Sequence, residues 1–346
     1  MKLASINGRN LFFIIGFLAL AAMAWSIGFD IIIDNIVKTG WWFVAIIGMW
    51  LPIYMINTAA LNTIIRDENP DNRTLPFWHL LKINISGFGL KAATPLGFLG
   101  GDPYKILELK RFFGMEKATS SVLLYTMSHI TAHCLFWSLS IVAAALWLPD
   151  MPQSWRITLL VTFIIFLLLL FLLWRGYRKG MTVSLFDGLS KVPFLKKWAL
   201  PFCKKHSEGL ANIDKQISYL YNSRTKAFIT TISLELIARI ANCLEVYVIL
   251  RSANENVTLI QSITIYSFMS LFTNIFFFSP MQIGTREGGF FMAFTALALK
   301  GSLGIYVSLI TRLRELIWIG IGILLMKVKS GFVPIALVER FEQKET

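Results

Sequence analysis

The chain has 346 residues, of which 55% are hydrophobic and only 15% charged, where a soluble domain carries about 25% charged residues; its mean hydropathy is +0.62. Soluble cores stop growing near about 250–300 residues, so these proportions exclude a soluble globular enzyme, a disordered chain and a coiled coil. They leave an all-α polytopic membrane protein. Lysine and arginine outnumber aspartate and glutamate 33 to 20, a net charge of +13, and the excess lies between apolar runs, which speaks against a nucleic-acid partner.

An apolar run from Leu11 to about Ile33, preceded by Lys2 and Arg9, predicts a first span with its N-terminus inside. Ala22-Met23-Ala24 offers a signal-peptide cleavage site as the alternative, which the length of the run opposes. Asp30, Asp34 and Lys38 make a short outer loop, Trp41-Trp42 an interfacial anchor, and Trp41 to Leu61 a return to the cytoplasm. Arg66 to Lys82 reads as a polar loop with a surface helix. Ile83 to Gly101 is only half apolar and holds Gly87, Gly89, Lys91, Pro95, Gly97, Gly100 and Gly101, a density that argues against a regular spanning helix; Lys105 to Lys117 is a basic amphipathic helix. The stretch 83–118 is therefore predicted to be a re-entrant hairpin entering from the cytoplasm, since irregular backbone at membrane depth needs protein or a wet cavity around it.

Ser120 to Leu148 then crosses outward, Pro149 to Trp155 turns, and Ile157 to Trp174 comes back. The segment 175–226 carries eleven bases and three acids, so eight of the thirteen net charges sit in one loop, which the positive-inside rule places in the cytoplasm. Ala227 to Leu250 goes out and Arg251 to Val257 forms an outer loop. In 259–299 two apolar stretches flank a break from Ser279 to Gly289, and Leu303 to Met326 is the last span, with Lys327 and Lys329 marking its cytoplasmic end. Parity then makes 259–299 a hairpin entering from outside. The expectation is one integral membrane domain over 1–346: a first half 1–174, the basic loop 175–226, a second half 227–330 and a cytoplasmic tail 327–346, with about six full spans, two re-entrant hairpins and both termini cytoplasmic.

The two broken segments share a pattern. Thr94-Pro95 precedes Asp102 and Ser279-Pro280 precedes Glu287, and both the prolines and the acids stand 185 positions apart. Inverted repeats whose broken segments meet near the midplane build substrate sites in this way; a coincidence of two turns is the plainer reading. Asp102-Pro103 suits a helix start, with the carboxylate as cap, and a cap is all it need be. Gly100 and Gly101 would also expose backbone N–H groups to an anion such as phosphate, with Lys91, Lys105 and Arg111 supplying charge. Gly284 opens the second turn, and Arg286 and Glu287 start the helix after it. Arg312, Arg314 and Glu315 interrupt the last span; facing lipid they would cost on the order of 8–10 kcal/mol together. They must face one another, Arg286 and Glu287, or water, either as a structural network or as guanidinium groups held for phosphate.

Glu235 and Arg239 stand four apart in one span and read as a structural ion pair. His129 and His133 have the same spacing and read as a hydrogen-bonded polar pair; a metal would need more ligands. The cysteines Cys134, Cys203 and Cys243 show no CxxC or zinc spacing. Neither a metal nor a cofactor is expected, and no nucleophile elbow, P-loop, dinucleotide fingerprint or HExxH motif occurs.

At Thr94-Pro95-Leu96-Gly97-Phe98-Leu99-Gly100-Gly101-Asp102 and Ser279-Pro280-Met281-Gln282-Ile283-Gly284-Thr285-Arg286-Glu287 the chain resembles the transmembrane, flippase-like domain of lysylphosphatidylglycerol synthases and its free-standing relatives. Arg312 is similar to the family's later arginine. Met281 and Gln282 stand where that pattern tends to glycines, Asp102 where a glutamate is common, and Lys105 near a usual arginine. The resemblance implies a bacterial inner-membrane protein without the soluble aminoacyltransferase domain that translocates, or helps translocate, a phosphate-bearing lipid: a phospholipid or a polyprenyl-linked saccharide. Membrane lipids are the expected partners, with envelope glycosyltransferases or lipid-modifying enzymes beside them. The alternatives are a membrane-embedded transferase acting on a lipid carrier, with Asp102 or Glu287 as base, and a non-catalytic scaffold of envelope biosynthesis.

Overall fold

The computed structural model describes residues 29–66, 75–94, 100–147, 153–179, 207–276, 282 and 284–328, with positions 14, 18, 21 and 25 before them. Twelve helices lie in these stretches, and no strand occurs among the described residues. In chain order they are α1 (Phe29–Thr39), α2 (Trp41–Gly48), α3 (Trp50–Ile65), α4 (Phe77–Ala93), α5 (Gly101–Phe113), α6 (Met115–Trp147), α7 (Gln153–Lys179), α8 (Ser207–Ser223), α9 (Thr225–Ser252), α10 (Leu259–Ile275), α11 (Thr285–Ala296) and α12 (Gly301–Leu325). The fold is an all-α polytopic membrane protein. Among the described residues three stretches are long and apolar enough to cross a membrane: Trp41–Ile65, Met115–Trp147 and Arg156–Arg178. The third packs on α6 and α8 along one side and turns the rest of its surface outward, with Ile157, Leu160, Val161, Ile164, Leu168 and Phe171 all exposed. Such a surface belongs in lipid.

Two antiparallel pairs, α4 with α5 and α10 with α11, pack into the bundle. In the first, a Cβ on Gly101 would sit 2.5 Å from the Gly87 carbonyl oxygen and one on Gly100 2.8 Å from that of Leu90. Glycine at 87, 100 and 101 is what lets α5 lie against α4. Gly89 and Gly322 do the same for α4 on α12: a Cβ on Gly322 would meet the Ile85 carbonyl oxygen at 2.8 Å, and Ser86 Oγ donates to the Gly322 carbonyl at 2.8 Å. Close crossings at small residues are how helices associate where lipid removes the hydrophobic drive. Gly87 and Gly89 therefore lie inside a regular helix, contrary to the break expected there; their role is packing. Helix α9 runs through the middle, against α3 and α6. Its N-terminal neighbour Arg224 donates to the carbonyls of Thr63 (3.3 Å), Ile64 (3.5 Å) and Arg66, closing the open C-terminus of α3.

Other boundaries differ from expectation for physical reasons. The helix expected over Lys105–Lys117 stops at Phe113, because Gly114 at φ +78° turns the chain, and Lys117 belongs to α6. The basic segment 175–226, expected as a loop, contains α8, which packs on α6, α7 and α9. Most of the first apolar run, Pro95, Ser279, Pro280, the turn around Pro149, most of the basic loop and the tail from 329 lie outside the described residues.

Candidate functional site

The second broken segment builds a closed ion network. Gly284, at φ +80°, turns the chain into α11 and donates its N–H to Glu287 Oε2 at 2.8 Å. Arg312 on α12 grips the same carboxylate bidentately, Nε to Oε1 at 2.5 Å and Nη2 to Oε2 at 2.9 Å, and also reaches the Gln282 carbonyl at 2.9 Å. Ser308 adds a hydroxyl at 3.3 Å. Arg286 pairs with Glu315 at 2.6 Å and with the Gln282 side chain at 2.8 Å. Arg314 turns to the other face of α12, where Glu245 of α9 accepts from its Nε at 2.8 Å and its Nη2 at 3.0 Å and the centre of the Trp50 ring lies 3.7 Å away. Three guanidinium groups thus meet three carboxylates. Planar forks matched to carboxylates in this manner are saturated.

The first segment builds a second cluster with a different balance. Gly100 is the N-cap of α5, and no side chain caps it. Asp102, expected as the cap, is instead the second residue of the helix and faces inward. There it accepts from Thr126 Oγ1 of α6 at 3.2 Å and lies 3.8 Å from Lys105 Nζ. The Lys105 ammonium also sits 4.8 Å from the centre of the Tyr125 ring. Helix α9 brings Glu235, fully buried, and Arg239 to the same place. His129 lies between them: its Nδ1 is 2.6 Å from Glu235 Oε2, and its Nε2 is 2.7 Å from Arg239 Nη2. Arg239 Nη2 also lies 2.6 Å from Nδ1, so the guanidinium and the carboxylate both crowd that nitrogen. Arg239 Nη2 is also 3.4 Å from Glu235 Oε2. Lys91, at the end of α4 beside Gly101, is exposed, feels the charges of Asp102, Lys105, Arg239 and Glu235, and takes part in none of the ion pairs among the described residues. Three cations here face two carboxylates.

Among the described residues the two clusters share no ion pair. Helix α9 joins them, giving Glu235 to the first and Glu245 to the second, ten residues or about 15 Å apart along the helix. Asp102 and Glu287 are thus held in separate networks, each in the first turn of its helix. Gly100 and Gly101 are packing residues, each placed where an added Cβ would meet the backbone of α4. Arg111 sits in the last turn of α5 with Glu108 at 3.6 Å, nine residues or about 13 Å along the helix from Asp102. The pair Glu235–Arg239 is present, but it belongs to the first cluster and not to an isolated strut. His129 and His133 meet ring to ring, centroids 5.0 Å apart, not by a hydrogen bond. Sequence reasoning did not see Thr126, Ser308 or Tyr125, nor the pairing of Glu245 with Arg314, because pairing across helices has no fixed spacing.

Together these features define a membrane-embedded helical bundle with two ion clusters in its interior. The chain belongs to the lysylphosphatidylglycerol synthase transmembrane-region family, whose model matches residues 11–322. Membership sets it among membrane proteins of lipid- and envelope-related processes. The chain matches none of the curated proteins and none of the solved structures with which it was compared.

Proposed function

We propose that this protein translocates, or assists the translocation of, a lipid with a phosphate-bearing headgroup across the bacterial inner membrane. The observation that carries the reading is the charge imbalance of the first cluster, where, among the described residues, Lys91, Lys105 and Arg239 face Asp102 and Glu235 alone. Interior ionisable groups in a membrane protein mark substrate paths when they are not spent on one another, and an unspent ammonium suits a phosphate as a point charge. The arginines of the second cluster, each held by a carboxylate, act in this reading as the frame that fixes α11 and α12 against α9.

Purified protein in proteoliposomes is expected to accelerate flip-flop of a fluorescent phosphodiester lipid over empty vesicles, with Lys91→Ala lowering that rate about tenfold and Lys91→Arg retaining most of it. Equal rates in wild-type and empty vesicles for every phosphate-bearing lipid tried would sink the reading. The transferase alternative needs a carboxylate able to take a proton from an acceptor hydroxyl; both oxygens of Glu287 are already occupied by Arg312 and Gly284, which disfavours that residue as its base.

A further inference from the structure

Two stripes of buried polar side chains lie on α3 and α9, each with an atom that has no hydrogen-bond partner among the described residues. They are Trp50 Nε1, Tyr54 Oη and Asn57 Oδ1 on α3, and Glu235 Oε1, Arg239 Nε and Asn242 Oδ1 on α9. Both stripes have the spacing i, i+4, i+7, which gathers each onto about 60° of its helix. Helices α3 and α9 pack on each other, and both touch α6. Their register is tied at each end: Thr231 Oγ1 lies 3.5 Å from the Ala60 carbonyl oxygen, and Arg314 joins Glu245 to the Trp50 ring. The stripes therefore occupy the same stretch between these ties. On α6, His133 Nδ1 is likewise buried without a partner, its ring 5.0 Å from that of His129. Tyr54, Asn242 and Glu235 are each at most 3% exposed. Buried polar groups are matched by protein or by ordered water. The set mixes donors (Trp50 Nε1, Arg239 Nε) with acceptors (Asn57 Oδ1, Asn242 Oδ1, Glu235 Oε1), and Tyr54 Oη does either. Water satisfies both kinds, whereas a hard metal cation takes oxygen acceptors alone.

We infer that the junction of α3, α6 and α9 is a hydrated proton path with Glu235 as its proton-binding site, and that translocation is coupled through it to the proton gradient. Ionisable groups inside a membrane bundle mark ion paths and proton relays. Glu235 stands between two routes. Its Oε2 lies 2.6 Å from His129 Nδ1, on a side chain 22% exposed. Its Oε1 belongs to the α9 stripe, and the Tyr125 hydroxyl acts on the same carboxylate. A hydronium ion in the junction gives its proton to the carboxylate: an O–H bond forms on Glu235, a water molecule is left, and the side chain becomes a neutral acid. Release runs through His129, which takes a proton at Nδ1 and gives one from Nε2 to water. The groups facing this charge are Lys91 from α4, Asp102 and Lys105 from α5, Tyr125, His129 and His133 from α6, and Arg239 from α9, with Tyr266 of α10 beside Arg239 and Tyr54 on α3. Protonation turns three cations against two carboxylates into three against one, so a proton and an anionic headgroup each raise the affinity for the other. The coupling rests on the phosphate reading of the cluster; the proton site rests on the junction.

Infrared difference spectroscopy of the full-length protein in lipid nanodiscs, recorded as the pH is lowered, tests the site without any transport. The carbonyl stretch of a newly protonated carboxylic acid is expected in the wild type and is missing from Glu235→Gln; identical bands in the two overturn the inference. Should Glu235→Gln not fold, Glu235→Asp decides, because the band shifts if this acid carries it and stays if it does not. In proteoliposomes a gradient of about one pH unit, in one of its two orientations, is expected to raise flip-flop of the fluorescent phosphodiester lipid up to about tenfold. Asn242→Leu and Asn57→Leu, which dry the junction, are expected to remove that response and to keep the rate found without a gradient. A wild-type rate indifferent to the gradient, or a response undiminished in both variants, overturns the coupling. Failure of the translocation reading looks different: no lipid then crosses faster than in empty vesicles, while the Glu235 band still appears.

Discussion

Arg314 and Lys91 are both cations inside a membrane bundle, and their surroundings assign them opposite work. Arg314 is 4% exposed, forked onto Glu245 and stacked on Trp50. Removing one partner of such a pair leaves an uncompensated buried charge and costs about 3–5 kcal/mol, whereas replacing both with apolar residues of similar volume is often neutral. Arg314→Ala is therefore expected to lower the Tm of the purified protein in detergent sharply. Arg314→Met combined with Glu245→Leu should recover most of the loss; a double variant no more stable than the single one would mean that the pair does more than hold helices. Lys91 is the reverse case. With no carboxylate of its own, Lys91→Ala is expected to shift Tm by no more than about 0.5 kcal/mol equivalent while reducing lipid flip-flop, so that the stability and transport readouts separate the two cations.

At the scale of helices, the glycines divide in the same manner. Gly284 needs its conformation: at φ +80° with nothing within 4 Å of a Cβ, Gly284→Ala meets only the backbone penalty of about 1–2 kcal/mol. Gly101 needs its size, since a Cβ there would lie 2.5 Å from backbone, so Gly101→Ala must push α5 off α4. Disulfide trapping between cysteines at Gly87 and Lys105, whose atoms meet in the native hairpin, is expected to be strong in Gly284→Ala and weak in Gly101→Ala. Apolar runs and flanking charges made α6, α7, α9 and α12 legible in sequence within a few residues, because lipid imposes length and hydropathy directly. Gly87 and Gly89 misled because glycine marks both a break and a close crossing, and the sequence does not distinguish them without the partner helix. Helix α8 was hidden for a related reason: its low apolar content within a basic segment resembles a loop until α6, α7 and α9 are placed against it. The site was half legible. Asp102, Lys105, Glu235 and Arg239 were found, but their convergence depends on α9 meeting α5 and α6, which no local pattern encodes.

Over the whole molecule the two helical pairs carry one design with different endings. Each puts an acid in the first turn of its second helix, and each acid accepts from a hydroxyl on the long helix that follows: Asp102 from Thr126 on α6, Glu287 from Ser308 on α12. Four residues beyond that hydroxyl the second unit has Arg312, which saturates its acid, whereas the first has Ile130 and leaves Asp102 to Lys105 at a longer range. In the translocation proposed above, the locked unit would serve as the frame and the open one as the moving part. If they are inverted, the bilayer must treat them oppositely. In a variant whose three native cysteines are replaced, a cysteine at Ala92 is expected to react with a membrane-impermeant maleimide from the cytoplasmic side of oriented vesicles, and one at Gln282 from the outer side. Added phosphodiester lipid should protect Ala92, beside Lys91, and leave Gln282, enclosed by Arg286 and Arg312, unaffected. Labelling of both positions from one face would remove the inversion, and equal protection of both would return the headgroup to a site shared by the two clusters.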